Sequence, residues 1–268
     1  MSSYFHLSGF SATALRGSDA HAYAQSQFSA NADEFVSSHY SPLAWCDPKG
    51  RVLAFMLACT DDTGISLVLP ADQAETIRNR LAQFTIGRKV EVAPLAPVAA
   101  TFDAGPGVPR LSPDSPRGML AGKQAPDSET DSARWLHQDI CAGLPWLSPA
   151  TSGQHLPQWL GLEQLGALSW DKGCYPGQEI VARLHYRGSV KHGLQGLRLE
   201  SEKVPGGHSR IVDSAGKLAG HWLYGMQQGQ NSLGLAVLAN RVEAGDTVTI
   251  EAGADEIPAR VVAPAALG

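Results

Sequence analysis

Cysteine is scarce in this sequence, and the few cysteines do not form close pairs. The 268 residues include only Cys46, Cys59, Cys141 and Cys174, and no two of these are spaced as CxxC. Zinc sites and iron–sulfur sites contained in one chain are typically built from such close pairs, so we predict no metal site. A disulfide framework is also disfavoured, because disulfide-stabilised domains are short and rich in cysteine. We therefore expect a cytoplasmic, reduced protein.

Long hydrophobic runs and an excess of positive charge are missing as well. The longest apolar run, residues 52–59, is far shorter than the roughly 20 residues that a membrane-spanning helix needs. The first residues carry neither the basic nor the apolar segment of a secretory signal. The formal net charge is -5, which argues against bulk binding of nucleic acid. We expect no membrane contact and no strong direct binding of tRNA.

The chain contains enough apolar residues to form hydrophobic cores, and its composition changes along its length. Hydrophobic residues make up 43% and charged residues 18%, as in folded proteins. Residues 1–93 mix predicted strands and helices, whereas 94–131 are rich in proline and glycine, as in a linker or a reduced subdomain. Residues 132–189 begin with a predicted helix and end in a basic segment. Residues 190–268 hold six short predicted strands between glycine turns, a pattern typical of a small closed β-barrel.

The N-terminal part contains two elements that short stretches of its sequence predict. The apolar runs 43–46 and 51–58 are joined by Asp-Pro-Lys-Gly at 47–50, a sequence typical of a tight turn, so we predict a β-hairpin. One face of the helix predicted over 72–84 is apolar, and we expect it to pack into the core. The members of that face are Ala74, Ile77, Leu81 and Phe84.

The segment most suggestive of chemistry is 171–198, which surrounds Cys174. It carries five basic and two acidic side chains, in a chain whose total charge is negative. Positive neighbours favour the thiolate, which is the nucleophilic and metal-binding form of cysteine. A helix predicted over 178–184 would add a favourable dipole at its N-terminus. A lone cysteine is nevertheless more often a small buried hydrophobe, as we expect for the other three.

The run Lys172-Gly173-Cys174-Tyr175-Pro176-Gly177-Gln178-Glu179 resembles the signature of the YgfZ family of folate-binding, T-protein-like proteins. Shorter stretches also resemble segments of that family, and they lie at 23–27, 46–51, 135–136, 143–145 and 152–158. The resemblance covers the N-terminal part, residues 132–200 and, more loosely, the terminal barrel.

This resemblance implies an α+β fold of the GcvT and YgfZ type. Several subdomains are expected around a central folate site, with a small β-barrel at the C-terminal end. The Pro/Gly-rich stretch stands where the family has its middle subdomain, so we expect that subdomain to be shortened here. The implied cofactor is tetrahydrofolate or another folate derivative.

The resemblance also implies roles for individual residues. Cys174 is the expected catalytic thiol, and Lys172 is expected to lower its pKa. Trp135 matches a tryptophan of the family's folate site, and Phe10 stands where the family has a second one. By its residues alone, Trp135 is better explained as a core aromatic at a helix start. The other expected folate-binding residues are Gly173, Tyr175, Gly177, Gln178, Glu179, Arg183 and Arg187, with Lys191 as a further basic candidate.

The function implied is that of a folate-binding accessory protein for tRNA modification and for maintenance of iron–sulfur enzymes. Its expected partner is an iron–sulfur or tRNA-modifying enzyme. A tetrahydrofolate-dependent aminomethyltransferase is the first alternative, but the strand after the hairpin turn, at 52–56, lacks the carboxylate that such a reaction needs. A non-catalytic RNA-binding or protein-binding module is the second, with Trp170, Tyr175 and Tyr186 as stacking residues.

Overall fold

The computed structural model describes residues 3–268, which form two β-sheets, one closed barrel and four α-helices. The strands are β1 Phe5–His6, β2 Phe10–Arg16, β3 Ser41–Cys46, β4 Val52–Asp61, β5 Gly64–Pro70, β6 Glu91–Val92, β7 Val98–Thr101, β8 Gly118–Ala121, β9 His192–Leu199, β10 Arg210–Val212, β11 Leu218–Gln228, β12 Asn231–Ala239, β13 Thr247–Ala252 and β14 Asp255–Val262. The helices are α1 Ala20–Gln27, α2 Ala71–Gln83, α3 Glu129–Cys141 and α4 Gln178–Arg187.

The largest sheet has the strand order β3-β4-β5-β2-β6 and contains the predicted hairpin. Strands β3 and β4 pair antiparallel, with Leu43 opposite Met56, and the Asp47 amide donates to the Arg51 carbonyl across the turn. Strand β4 is buried on both faces, because alternate residues enter two different cores. Met56 packs on the side of α1 and α2, and Phe55 packs on the opposite side. This double burial explains the continuous apolar run in the sequence.

Helix α2 buries the predicted apolar stripe except at its last member. Ala74, Ile77 and Leu81 are buried, as expected. Phe84 is 49% exposed, so its assignment to the core was wrong. The helix ends at Gln83, and the cap residue Phe84 leaves the helical face to lie edge-on against the Trp45 ring.

The Pro/Gly-rich stretch contributes two strands to a three-stranded sheet of order β1-β7-β8. Phe5 in β1 lies opposite Ala100 in β7, and Ala100 lies opposite Met119 in β8. Two short apolar runs of this stretch, 98–102 and 118–120, thus supply its strands. The sheet is small, but its Phe5 ring packs edge-on against Trp135 of α3, which joins it to the main core.

The predicted closed barrel is confirmed, with six strands in the order β10-β11-β12-β9-β14-β13. Its own core is formed by inward-facing residues such as Leu197, Ile211 and Trp222. A hydrogen bond from the Tyr224 hydroxyl to the Leu144 carbonyl, 2.6 Å long, ties the barrel to the segment after α3. None of the helices formed within residues 3–268 is both long and apolar enough to cross a membrane.

Candidate functional site

The turn before α4 docks onto the hairpin turn through Gly177 and Gly50. Gly177 caps α4 with a left-handed backbone (φ 79°), which favours glycine. A β-carbon on Gly177 would lie 2.6 Å from both the amide nitrogen and the α-carbon of Gly50. The sequence motif is thus fixed against the N-terminal sheet at a point where two main chains meet closely.

Lys172 fastens the same motif to the segment that follows α1. Its ammonium group donates to the carbonyls of Phe28 and Ala30 at 2.5 and 2.7 Å. Burial lowers the pKa of Lys172 to about 8, although the nearby Asp33 opposes that shift. The hydrogen-bond partners of this lysine are main-chain oxygens, and the Cys174 sulfur is not among them. The lysine holds the chain in place, and its expected effect on Cys174 stays a prediction.

Cys174 is the exposed member of the four free thiols. Cys46 and Cys59 are buried, and Cys141 is half-buried. Burial raises the pKa of the Cys59 thiol to about 11 and raises that of Cys46 even further. A reagent or partner in solution therefore reaches Cys174 first, which is a precondition for the reactivity expected of it.

Tyr175 turns inward next to the exposed cysteine. The residue is 5% exposed, and Lys172 lies over its ring at 5.4 Å. Its buried hydroxyl finds no hydrogen-bond partner among the described residues, and burial raises its pKa. The ring therefore offers no open face to a folate or to a stacked base.

Helix α4 presents the predicted basic residues to solvent. Arg183 and Arg187 border a shallow, open groove together with Ala182 and Tyr186, which is 68% exposed. The remaining motif residues Gly173 and Glu179 are exposed, and Gln178 is half-buried. Trp170 does not lie free for base stacking, because it stacks on His185 with ring centroids 4.0 Å apart.

A separate cavity of about 490 Å³ lies where three distant parts of the chain meet. Its wall is mostly apolar and carries a few polar groups, as in small-molecule sites. The segment after α1 contributes Glu34, Phe35 and Tyr40, the Pro/Gly-rich stretch contributes Arg117, and the segment after α3 contributes Leu144. The remaining lining residues are Ala30, Asn31, His39, Ser41, Pro42, Leu57, Leu111, Ser112, Pro113, Ser115, Ala142, Leu165 and Gly166.

Arg117 is held on this wall by a buried polar network. Its Nη1 donates to Asp139 Oδ1 at 2.7 Å and to the Trp135 carbonyl at 3.3 Å. The Trp146 indole donates to the other oxygen of Asp139 at 2.9 Å. Burial raises the pKa of Asp139, and the adjacent guanidinium opposes that rise. Such a network is stable only when each member keeps its partner.

Three residues predicted for the site lie outside the lining of this cavity. Trp135 is 1% exposed, and its ring lies 4.5 Å beneath the Arg117 guanidinium carbon. Phe10 is buried edge-on against Trp146, and Lys172 holds the carbonyl of the lining residue Ala30. These contacts match the alternative that Trp135 is a core aromatic, now with the added role of supporting an arginine.

None of the folate-binding residues predicted from the sequence lines the 490 Å³ cavity. The residue that sequence reasoning missed is Arg117, within a stretch that showed few other features. A signal was present in α3, where Asp139 follows Trp135 by one helical turn and therefore shares its buried face. A buried carboxylate is normally paired with a cation, so the arginines of the chain were candidate partners for Asp139.

Comparison with known proteins supports the resemblance seen in the motif. No model of a known protein family matches the chain. Curated tRNA-modifying proteins YgfZ from Escherichia coli O45:K1 and from Shigella dysenteriae serotype 1 are each 26% identical over 236 residues, which is 74% of this chain and 72% of theirs. YgfZ of Escherichia coli O127:H6 is 27% identical over 237 residues, with the same coverage. The chain resembles YgfZ.

The similarity in fold covers nearly the whole chain. The crystal structure of the glycine cleavage system aminomethyltransferase T from Bartonella henselae superposes with a TM-score of 0.70 at 13% identity, covering 98% of this chain and 86% of that one. The predicted GcvT-like α+β fold with a C-terminal barrel is therefore confirmed. At this identity the comparison establishes the fold alone.

Proposed function

We propose that this protein binds a folate in the 490 Å³ cavity and supports the modification of tRNA. The observation that carries the proposal is the cavity itself, which combines aromatic walls, a carboxylate and a buried arginine. Its volume falls within the range of roughly 300–1,000 Å³ that is usual for small-molecule sites. The GcvT-like fold and the similarity to YgfZ proteins are consistent with such a ligand.

The lining residues fit the chemical groups of a folate. Phe35 and Tyr40 are aromatic groups suited to the flat pterin ring. The Glu34 carboxylate can accept hydrogen bonds from the amino-pyrimidine edge of that ring. Within the described residues, the side-chain hydrogen bonds of Arg117 come from Nη1, which leaves the other guanidinium N–H donors for a carboxylate of the tail. Bound folate would supply a one-carbon carrier, and these residues would hold and orient it.

The link to tRNA modification is supported by the similarity to the tRNA-modifying proteins YgfZ and by the motif. The finer part of the proposal is that Cys174 acts on an iron–sulfur or tRNA-modifying enzyme, in the cytoplasm. Its exposed position at a firmly docked turn suits a thiol that contacts a partner protein. The role of Cys174 as a reactive group remains part of this proposal.

Aminomethyl transfer is disfavoured by β4, the strand that follows the hairpin turn. Within β4, the carboxylate is Asp61 at the far end of the strand, where Thr63 and Ser66 donate to it. A carboxylate in that position stabilises the β4–β5 turn. Turnover of an aminomethyl-lipoyl substrate by the purified protein would reverse this ranking.

The folate proposal is tested by titrating tetrahydrofolate against purified wild type and two variants. Glu34→Gln changes the cavity at an exposed side chain and is expected to weaken binding about tenfold, as for loss of a charged hydrogen bond. The double variant Arg183→Ala/Arg187→Ala changes the α4 groove and is expected to bind as wild type does. If the α4 double variant loses affinity and Glu34→Gln does not, the folate binds at the α4 groove instead. If wild type does not bind tetrahydrofolate, the folate proposal is refuted.

The role in tRNA modification is tested in cells that lack the native copy of this gene. Wild type is expected to restore a thiomethylated tRNA base, and Cys174→Ser is expected to fail at equal protein level. Cys141→Ser is the matched control, because that thiol is half-buried and lies outside the motif. Full activity of Cys174→Ser would refute the reactive role of this cysteine while leaving folate binding untouched.

A further inference from the structure

A second cavity, of about 260 Å³, lies between the barrel and the segment that follows α3. Its polar lining is dominated by imidazoles that are far apart in sequence. His155 comes from the segment after α3, His192 from β9, His221 from β11, and His208 from the loop before β10. The rings of His208 and His221 stack almost parallel, with centroids 4.1 Å apart, and His208 lies 6.2 Å from His155.

Three of these imidazoles have a buried nitrogen without a hydrogen-bond partner among the described residues. The atoms are His155 Nε2, His192 Nδ1 and His208 Nδ1. His155 is 3% exposed, so the free nitrogen of this side chain is well shielded from bulk water. A buried polar atom without a partner costs about 1–3 kcal/mol, and native proteins contain few of them. Three such nitrogens belong to residues that line one cavity, so part of its hydrogen-bonding capacity is unused within the described residues.

The charges around the imidazoles are positive. Arg51 contributes positive potential at His155, and Arg210 does so at His221. At His192 the positive potential comes from Lys191 and Arg241. Ion pairs with Asp213 and Glu251 neutralise Arg241 and Arg210, respectively. Neither Arg51 nor Lys191 forms a carboxylate ion pair within the described part of the chain.

The cavity therefore presents hydrogen-bonding nitrogens in a positive field. Burial, followed by the neighbouring histidines and Arg51, lowers the pKa of His155 to about 3, and burial is also the main cause of the lowered pKa values of His192 and His221. Arg51 extends over the neighbouring Trp159 ring at 5.1 Å, and its Nη1 donates to the Gln154 carbonyl. Arg51 thus contacts two lining residues, Gln154 and Trp159, and places one guanidinium next to the cavity wall.

We propose that this four-histidine cavity binds a small oxyanion of the phosphate class, either the free ion or a phosphomonoester. A tetrahedral dianion can accept hydrogen bonds from several imidazole N–H groups at once, and Arg51 supplies a permanent charge. A metal ion is the poorer candidate, because residues 3–268 contain no group of three or more histidine, cysteine or acidic side chains placed to hold one. The site is separate from the folate cavity and does not depend on it.

The binding site is tested by calorimetric titration of the purified full chain with inorganic phosphate, sulfate and a small alkyl phosphate. Sulfate stays doubly charged between about pH 6 and pH 8, so any change in its affinity reports protonation of the protein. Because a bound dianion favours protonated imidazoles, sulfate is expected to bind more tightly as the pH falls. Tighter binding of the alkyl phosphate would identify a phosphomonoester, and equal binding would identify the free ion.

His208→Asn is the decisive variant because His208 has a left-handed backbone (φ 67°) that asparagine tolerates. It removes one imidazole from the stacked pair, and phosphate affinity is expected to fall at least about tenfold. His155→Gln provides a second test at the most buried imidazole. His21→Gln, at an exposed histidine paired with Asp33, is the control and is expected to bind as wild type does.

Thermal unfolding of each variant establishes that it is folded before it is titrated. The proposal is overturned if wild type fails to bind all three anions at millimolar concentration. It is equally overturned if folded His208→Asn and His155→Gln bind phosphate as tightly as wild type. Tetrahydrofolate binding by the same variants is expected to be unchanged, so failure of this site is distinguishable from failure of the folate proposal.

Discussion

Gly177 and Gly50 meet so closely that a β-carbon on the first would stand 2.6 Å from the α-carbon of the second. One residue belongs to the motif turn and the other to the β3–β4 hairpin turn. Both have a positive φ, 79° and 74°, so each turn depends on glycine in two ways. The conformation of the motif turn and its contact with the hairpin turn therefore depend on the same two glycines.

Gly177→Ala is expected to lower the free energy of unfolding by about 2 kcal/mol or more, since strain at positive φ and steric overlap with main-chain atoms add together. Urea unfolding at neutral pH measures the change. Gly173→Ala is the matched control, because no atom lies within 4 Å of its added β-carbon and its φ is not positive. Equal stability of the two variants would contradict the docking described here.

Breaking the buried pair between Arg117 and Asp139 is expected to be costly. Arg117→Met leaves a buried carboxylate without its cation, and we expect a loss of about 3–5 kcal/mol in unfolding free energy. Asp139→Asn in the same chain removes the uncompensated charge and keeps an oxygen to accept from the Trp146 indole. The double variant is therefore expected to be more stable than Arg117→Met alone. If adding Asp139→Asn gives no recovery, the charge is not the cause.

His155 is expected to make the protein less stable as the pH falls. Its folded pKa of about 3 lies below the ordinary histidine value of 6.5, so below pH 6.5 the unfolded chain binds a proton that the folded chain does not. The loss approaches about 1.4 kcal/mol per pH unit for a single such group. Urea unfolding between about pH 7 and pH 4, in a buffer without phosphate or sulfate, measures the slope. His155→Gln is expected to reduce this slope, whereas His21→Gln is expected to retain it.

The four thiols are expected to react with a maleimide in an order set by exposure. Cys174 is expected to react first, the half-buried Cys141 more slowly, and Cys46 and Cys59 only on unfolding, because burial also raises the pKa of both. Peptide mass mapping over time gives the order. Fast labelling that persists in Cys174→Ser would mean that another thiol is exposed in solution.

The barrel and the hairpin were predictable because their signals are local. Alternating apolar residues and glycine turns occur every few residues, and the Asp47–Gly50 turn formed as its sequence predicts. The start of α3 was missed by three residues, since the helix begins at Glu129. The Ser128 hydroxyl caps it by accepting from the Asp131 amide. That capping serine lies inside the stretch whose proline and glycine content suggested a loop.

Both cavities escaped prediction because their walls come from distant segments. Arg117 and Glu34 share one wall although more than eighty residues separate them, and the four histidines also lie far apart. The family resemblance identified Trp135 as an aromatic residue of the site but gave no information on its depth. A family resemblance can indicate that a residue belongs to a site, but packing decides whether its side chain reaches the ligand or supports a neighbour that does.

The pairing of β1 with β7 sets the order in which a nascent chain can fold. Phe5 leaves the ribosome well before its strand partner Ala100 and before the further strand at 118–121. Contacts between residues so distant in sequence form slowly, because a long loop must close first. Strand β1 therefore stays unpaired until these partners have been synthesised, and this is the interval in which a chaperone has the most to protect.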